Sequence, residues 1–143
     1  MLIGGLIGLN RDLHNKPAGV RTHALVALSA ALAVAGSKLV SSSAAQQADI
    51  ASRAIQGVIT GIGFLGAGVI LRDAGEGHVH GLTTAATIWV TAILGVACGA
   101  GAYAEVGLGV VFVFAVLMVG GPLERFSHRF FGPPRDEGDP HTR

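Results

Sequence analysis

Apolar positions in this chain do not alternate with polar ones. They gather into five runs, Met1–Leu9, Thr22–Val40, Ala54–Leu71, Leu82–Gly101 and Tyr103–Gly121, and the last four hold 18 to 20 residues each. As helices rising about 1.5 Å per residue, those four reach roughly 27–30 Å, enough to cross the hydrocarbon core of a bilayer. Backbone N–H and C=O groups cannot go unpaired in lipid, so a run of this kind must be helical. The first run covers only about 13 Å. It is either the inner half of a spanning helix or a half-buried stub. The predicted fold is therefore an all-α membrane protein, a polytopic transmembrane helix bundle of four full spans plus a short N-terminal helix. Residues 1–121 make up the transmembrane domain, and residues 122–143 a basic cytoplasmic tail.

Composition agrees. Half of the 143 residues are hydrophobic and 13% are charged, against about 25% in a soluble domain. Charges fall into short islands between the runs. The islands after the first, third and fifth runs carry eight of the ten Lys and Arg: Arg11, Lys16, Arg21, Arg72, Arg125, Arg129, Arg135 and Arg143. Lys38 and Arg53 alone lie on the other side. By the positive-inside rule those three islands and the C-terminus are cytoplasmic. Met1–Leu9 has no basic flank of the secretory type and reads as part of the mature chain. After Gly121, Phe126 and Phe130 recur at i,i+4, as do Arg125 and Arg129. This is the pattern of a short helix at the lipid interface or of a loose basic tail. From Gly132 the Pro, Gly and charge content reads as disorder.

Within the third run, Gly61-Ile-Gly63-Phe-Leu-Gly66 spells G-x-G-x-x-G. A phosphate-binding turn of that form needs a strand before it and an acidic residue about twenty positions on. Here the same apolar run precedes it, and the twentieth position falls among Thr84–Thr87. The glycines fit helix packing in lipid better. Gly4/Gly8, Gly57/Gly61 and Gly95/Gly99 are all G-x-x-x-G pairs, which let backbones approach closely where no hydrophobic drive holds helices together. On the third run Gln56, Thr60, Gly63 and Ala67 form one small-residue stripe, and Gly57, Gly61 and Gly68 another. Two such faces place this helix at the bundle centre.

Candidate chemistry is sparse. Thr84, Thr87, Thr91, Gly95 and Cys98 share one face of the fourth run, either as packing contacts or as the polar lining of an ion or water path. No acidic or basic residue lies near a helix centre, where one would mark a functional site. Asp49 and Arg53 are spaced to pair just before the third helix. Glu76, His78 and His80 include a His-x-His pair that can hold a transition metal if extended, though solvated histidines are the commoner outcome. Cys98, the single cysteine, permits no intrachain disulfide and sits too deep in an apolar helix to be a thiolate. Arg11, Lys16 and Arg21 anchor the first island at the membrane and can meet anionic headgroups or a docking partner. No hydrolytic triad exists, so an enzyme is not expected, nor a cofactor, nor a nucleic-acid partner.

Four segments, "GLIGLNRD" with "KPAGVRTHALVALSAAL", "DIASRAIQGVITGIGFLGAGVILRD", "HVHGLTTAATIWVTAILGVACGAG" and the final helix, resemble the MgtC/SapB family of bacterial inner-membrane proteins over nearly Met1–Gly121. The pairing of "GIGFLGAGVI" with "GLTTAATIWVTA" is long and specific. The resemblance implies a multi-pass protein of the bacterial plasma membrane, tied to adaptation to low magnesium and, in pathogens, to survival inside host cells. It implies a regulator of other membrane machines, with the F-type ATP synthase as one candidate partner, alongside the lipid bilayer and a possible homo-oligomer. The alternative is an oligomeric transporter or channel for Mg²⁺ or another small ion. Carried over by position, the signature residues are Arg11, Gly19, Arg21, Thr22, Arg53, Gly61, Gly63, Phe64, Gly66, Gly68, Gly81, Thr84, Ala85 and Trp89. The chain departs from the family at Asn10, where Glu is common, and from some members at Thr83 and Val90. Some members continue into a soluble regulatory domain that is not among these 143 residues.

Overall fold

The computed structural model describes residues 1–40, 42–72 and 79–131. Six helices account for nearly all of them: α1 (Leu2–Leu13), α2 (Val20–Ala35), α3 (Ser37–Val40), α4 (Ala44–Gly68), α5 (Leu82–Ala100) and α6 (Tyr103–Phe131). Between α4 and α5 two short strands, β1 (Leu71–Arg72) and β2 (Val79–His80), pair antiparallel with Leu71 opposite His80 and Arg72 opposite Val79. Four helical segments are long and apolar enough to span a membrane: Val20–Val40, Ala44–Gly68, Leu82–Ala100 and Tyr103–Leu123.

Two boundaries differ from the sequence expectation. The third span starts at Ala44 rather than Ala54 and stops at Gly68. The polar stretch ahead of it, Ala44-Ala-Gln-Gln-Ala, is made of good helix formers. Asp49 and Arg53 therefore lie inside the helix, where Arg53 Nε meets Asp49 Oδ2 at 3.0 Å across one turn. The last helix does not stop at Gly121. It runs through Pro122 to Phe131, so residues 122–131 continue the span and form no separate helix. The segment from Gly132 on lies outside the described residues.

The chain divides into two compact units, Met1–Val111 and Phe112 onward. In the first, α2 and α5 form the centre. Val26, Ala30 and Val34 of α2 pack with Ile88, Ala92 and Val96 of α5, and Ile62 of α4 completes the cluster. These side chains are small, so the backbones run close. A Cβ at Gly95 would lie 2.5 Å from the Ala27 carbonyl oxygen and 3.0 Å from the Ala30 Cβ, and one at Gly99 would strike the Ala31 carbonyl. Gly4 and Gly8 bring α1 onto α2 in the same way, against the His23 and Gly19 carbonyls. Two of the three G-x-x-x-G pairs therefore work as helix-packing notches.

The third does not. Nothing lies within 4 Å of a Cβ built at Gly57, Gly61, Gly63 or Gly68, and only Ile62 and Gly66 of α4 are buried. The expectation that this helix occupies the bundle centre is corrected: α4 packs on α5 and α2 along the one edge that holds Ile62 and Gly66 and leaves its other faces open. A small-residue stripe shows that a helix can be approached closely, not that a helix of the same chain approaches it. In the second unit, Phe112, Val116, Met118, Val119 and Leu123 are exposed, as a helix surface in contact with lipid requires.

Candidate functional site: a buried arginine and threonine cluster

Arg11 sits in the last turn of α1. The helix ends there because His14, Asn15 and Lys16 turn back to hydrogen-bond the Arg11 and Asp12 carbonyls, with Asn15 in the left-handed region at φ 50°. The following loop holds Ala18 at φ 61°. Asp12 then closes the connection: its Oδ2 accepts from the Val20 N–H at 2.9 Å, satisfying a free donor at the start of α2. These contacts fold the "NRDLHNKPAGV" island into a tight corner and aim Arg11 at the first turn of α5.

There the Arg11 Nη2 donates to Thr84 Oγ1 at 2.8 Å. The guanidinium is buried, with 5% of the residue exposed. Burial pushes its pKa down, yet a guanidinium starts so high that it stays charged. His23, fully buried on α2, continues the chain of polar contacts. Its Nδ1 lies 3.0 Å from the Gly19 carbonyl, which can only accept, so Nδ1 carries a proton. Its Nε2 lies 3.1 Å from Thr87 Oγ1, and that hydroxyl also lies 2.8 Å from the Thr84 carbonyl. The one hydroxyl proton of Thr87 serves one of these two acceptors. Arg11, Thr84, Thr87 and His23 thus tie α1, α2 and α5 together through polar groups in an otherwise apolar interior. Thr91, 0% exposed, has a hydroxyl with no partner.

Of the sequence-derived residues, the structure brings together Arg11, Gly19, Gly81 and Thr84. Gly81 caps α5 at φ 90°, and a Cβ there would collide with the Val69 carbonyl. No other residue takes this conformation so close to a neighbouring backbone without strain. Gly63, Gly66, Ala85 and Trp89 line an open apolar groove of about 530 Å³ between α4 and α5. Arg21 is exposed and Thr22 half-buried on α2; Arg53, Gly61, Phe64 and Gly68 are exposed on α4 and away from the polar cluster. The Thr84, Thr87 and Thr91 stripe is buried, and two of its hydroxyls are held by Arg11 and His23. A fixed positive charge at its end is the wrong sign to draw in a cation. Cys98 is a half-buried free thiol on α5. Glu76 and His78 lie outside the described residues. His23 and Asp12 were not singled out in the sequence, although a histidine four residues after Gly19 inside an apolar run is the kind of polar intrusion that lipid penalises unless it is bonded.

The buried arginine reaching a threonine at the head of the "GLTTAATIWVTA" helix joins two of the four segments that carry the resemblance, "GLIGLNRD" and "GLTTAATIWVTA", in one contact. The whole span that carries them, residues 1–126, matches the MgtC family. The chain belongs to the MgtC family. It is 44% identical over 115 residues to the protein MgtC of Brucella abortus (strain 2308), covering 80% of this chain and 45% of the relative. It is 45% identical over 125 residues to the protein SrpB of Synechococcus elongatus, covering 82% and 67%. It is 45% identical over 103 residues to the protein MgtC of Salmonella typhimurium (strain LT2), covering 72% and 41%. The chain thus spans less than half the length of these two MgtC relatives. No solved structure matches it. Family membership together with four span-capable helices makes this a bacterial multi-pass membrane protein of the MgtC type.

Proposed function

We propose that this MgtC-family protein is a non-enzymatic regulator that acts on other membrane proteins by lateral helix contact, in the adaptation to low magnesium that the family resemblance implies. The observation that carries the reading is the open face of α4. A helix of 25 residues leaves Gly57, Gly61, Gly63 and Gly68 with no neighbour, and such a face supports close packing with a helix from another chain. The apolar groove beside it, floored by Gly66 and Ala85, extends the same surface. The distribution of Lys and Arg supports a cytoplasmic C-terminus, with the α1–α2 and α4–α5 connections on that side.

A photo-crosslinker at Phe64, 84% exposed on α4, tests this in native membranes. The expected result is adducts with other membrane proteins, the F-type ATP synthase being the first to look for. Their loss is expected in Gly61→Leu, at a position where an added Cβ meets nothing within 4 Å. Adducts only between copies of this chain would remove the regulatory reading and leave a homo-oligomer.

A further inference from the structure

The corner that buries Arg11 also bounds a cavity of about 560 Å³, within the range of small-molecule sites. Its described walls carry the cationic side chains Arg11 and Lys16, together with His80, and no carboxylate. Thr83 and Thr84 bring in the first turn of α5, a helix of 19 residues with no side-chain cap at its start. The first N–H groups of such a helix have no acceptor within it and concentrate the positive end of its dipole.

Arg11 supplies the second, independent observation. A charged group that is 95% buried is ordinarily met by an opposite charge. Arg11 has one hydrogen bond, to a neutral hydroxyl, and its Nε has no partner. Among the described residues the only ion pair is the exposed one between Asp49 and Arg53. The nearest carboxylate in sequence, Asp12, is engaged by the Val20 N–H. Among the described residues the guanidinium therefore meets no opposite charge in the cavity wall, and it lies beside a second cation and a row of backbone donors.

We propose that this cavity binds a phosphate-bearing anion, either the headgroup phosphate of an anionic lipid or a soluble phosphate, held by Arg11, Lys16 and the first turn of α5. Helix N-termini and basic side chains are the two recurring means of holding phosphate, and here they converge on one space. An anion seated there links the α1–α2 corner to α5 at the point where Arg11 already bridges them.

The test uses the purified full chain with two probes. Thermal stability is compared in sodium phosphate and sodium chloride at equal ionic strength. Retained lipid is measured by native mass spectrometry with phosphatidylglycerol against phosphatidylcholine. Stabilisation by phosphate, or preferential retention of phosphatidylglycerol, is expected. The first outcome assigns a soluble anion and the second alone a lipid headgroup. Lys16→Gln, at an exposed position that leaves the core intact, is expected to weaken the effect roughly ten-fold, the loss of one charge-assisted contact. Arg11→Gln is expected to abolish it. Arg53→Gln, about 24 Å along α4 from Val69 in the cavity wall, is expected to leave it unchanged. The proposal is overturned if neither probe exceeds its control, or if binding persists undiminished in Lys16→Gln and Arg11→Gln. It is also overturned if binding appears only in the Asp73→Asn, Glu76→Gln variant, which would make a carboxylate of the β1–β2 connection the counter-charge.

Discussion

Replacing Gly95 with alanine adds one methyl group at the tightest point between α5 and α2. The new Cβ would lie 2.5 Å from the Ala27 carbonyl oxygen, about 0.9 Å inside ordinary contact at 3.4 Å, and also 3.0 Å from the Ala27 Cα and the Ala30 Cβ. All three are backbone atoms or a Cβ, so no flexible side-chain end can move aside, and the helices must separate. Overpacking of this kind costs about 1–3 kcal/mol. Alanine's better helix propensity returns about 0.8–1.0 kcal/mol, leaving a net loss of up to about 2 kcal/mol. Gly57→Ala is the matched control. Its Cβ meets nothing, so only the propensity term remains, a gain of roughly 0.5–1 kcal/mol. The two substitutions are chemically identical, so the propensity gain cancels between them, and they should differ by about 1–3 kcal/mol in reversible unfolding in mixed micelles. Equal gains in both variants would refute the packing argument. A Gly57→Ala loss as large as that of Gly95→Ala would mean that α4 is covered in the purified protein.

The threonine stripe offers a second contrast. Thr91→Val removes a buried hydroxyl that has no partner and should stabilise the protein by about 1 kcal/mol. Thr84→Val strips Arg11 of its only acceptor and should destabilise it by roughly 2–3 kcal/mol; the same unfolding assay reads both, and equal signs would sink the network. In the α1–α2 corner, Ala18 is held at φ 61°, so Ala18→Gly should raise stability by about 1 kcal/mol, whereas a loss would show that the Ala18 methyl packs more than its conformation costs.

Hydropathy made the spans legible because lipid leaves the backbone no alternative to a helix. The starts of α5 and α6, at Leu82 and Tyr103, were readable to the residue. Polar helix ends were not. Ala44–Arg53 carries no apolar run, and its helicity rests on propensity and on continuity with the span. In Pro122–Phe131 the Phe126 and Phe130 spacing leaves a short interfacial helix and a loose tail both open, and the structure instead continues the span. Arg11 and Thr84 were both visible as signature positions, but their 2.8 Å contact joins residues 73 positions apart, and no periodicity within one helix encodes it. His23 was hidden by its surroundings, since one histidine barely changes the hydropathy of a long apolar run.

The small-residue pattern shows why placement within a bundle resists sequence reading. Gly4/Gly8, Gly57/Gly61 and Gly95/Gly99 are the same motif, yet two meet backbone and one meets nothing. The difference lies in the partner, not in the motif. Opposite Gly95 and Gly99, α2 presents Ala27, Ala30 and Ala31, small enough for the carbonyls to come within reach. No helix of the Met1–Val111 unit comes within 4 Å of a Cβ at Gly57 or Gly61. In water such a gap would be closed by the hydrophobic effect. In lipid the exposed glycines carry no such penalty, because acyl chains solvate them as well as a neighbouring leucine would. An open G-x-x-x-G face is therefore stable in a single chain, and any close packing on it must come from another helix's complementary shape.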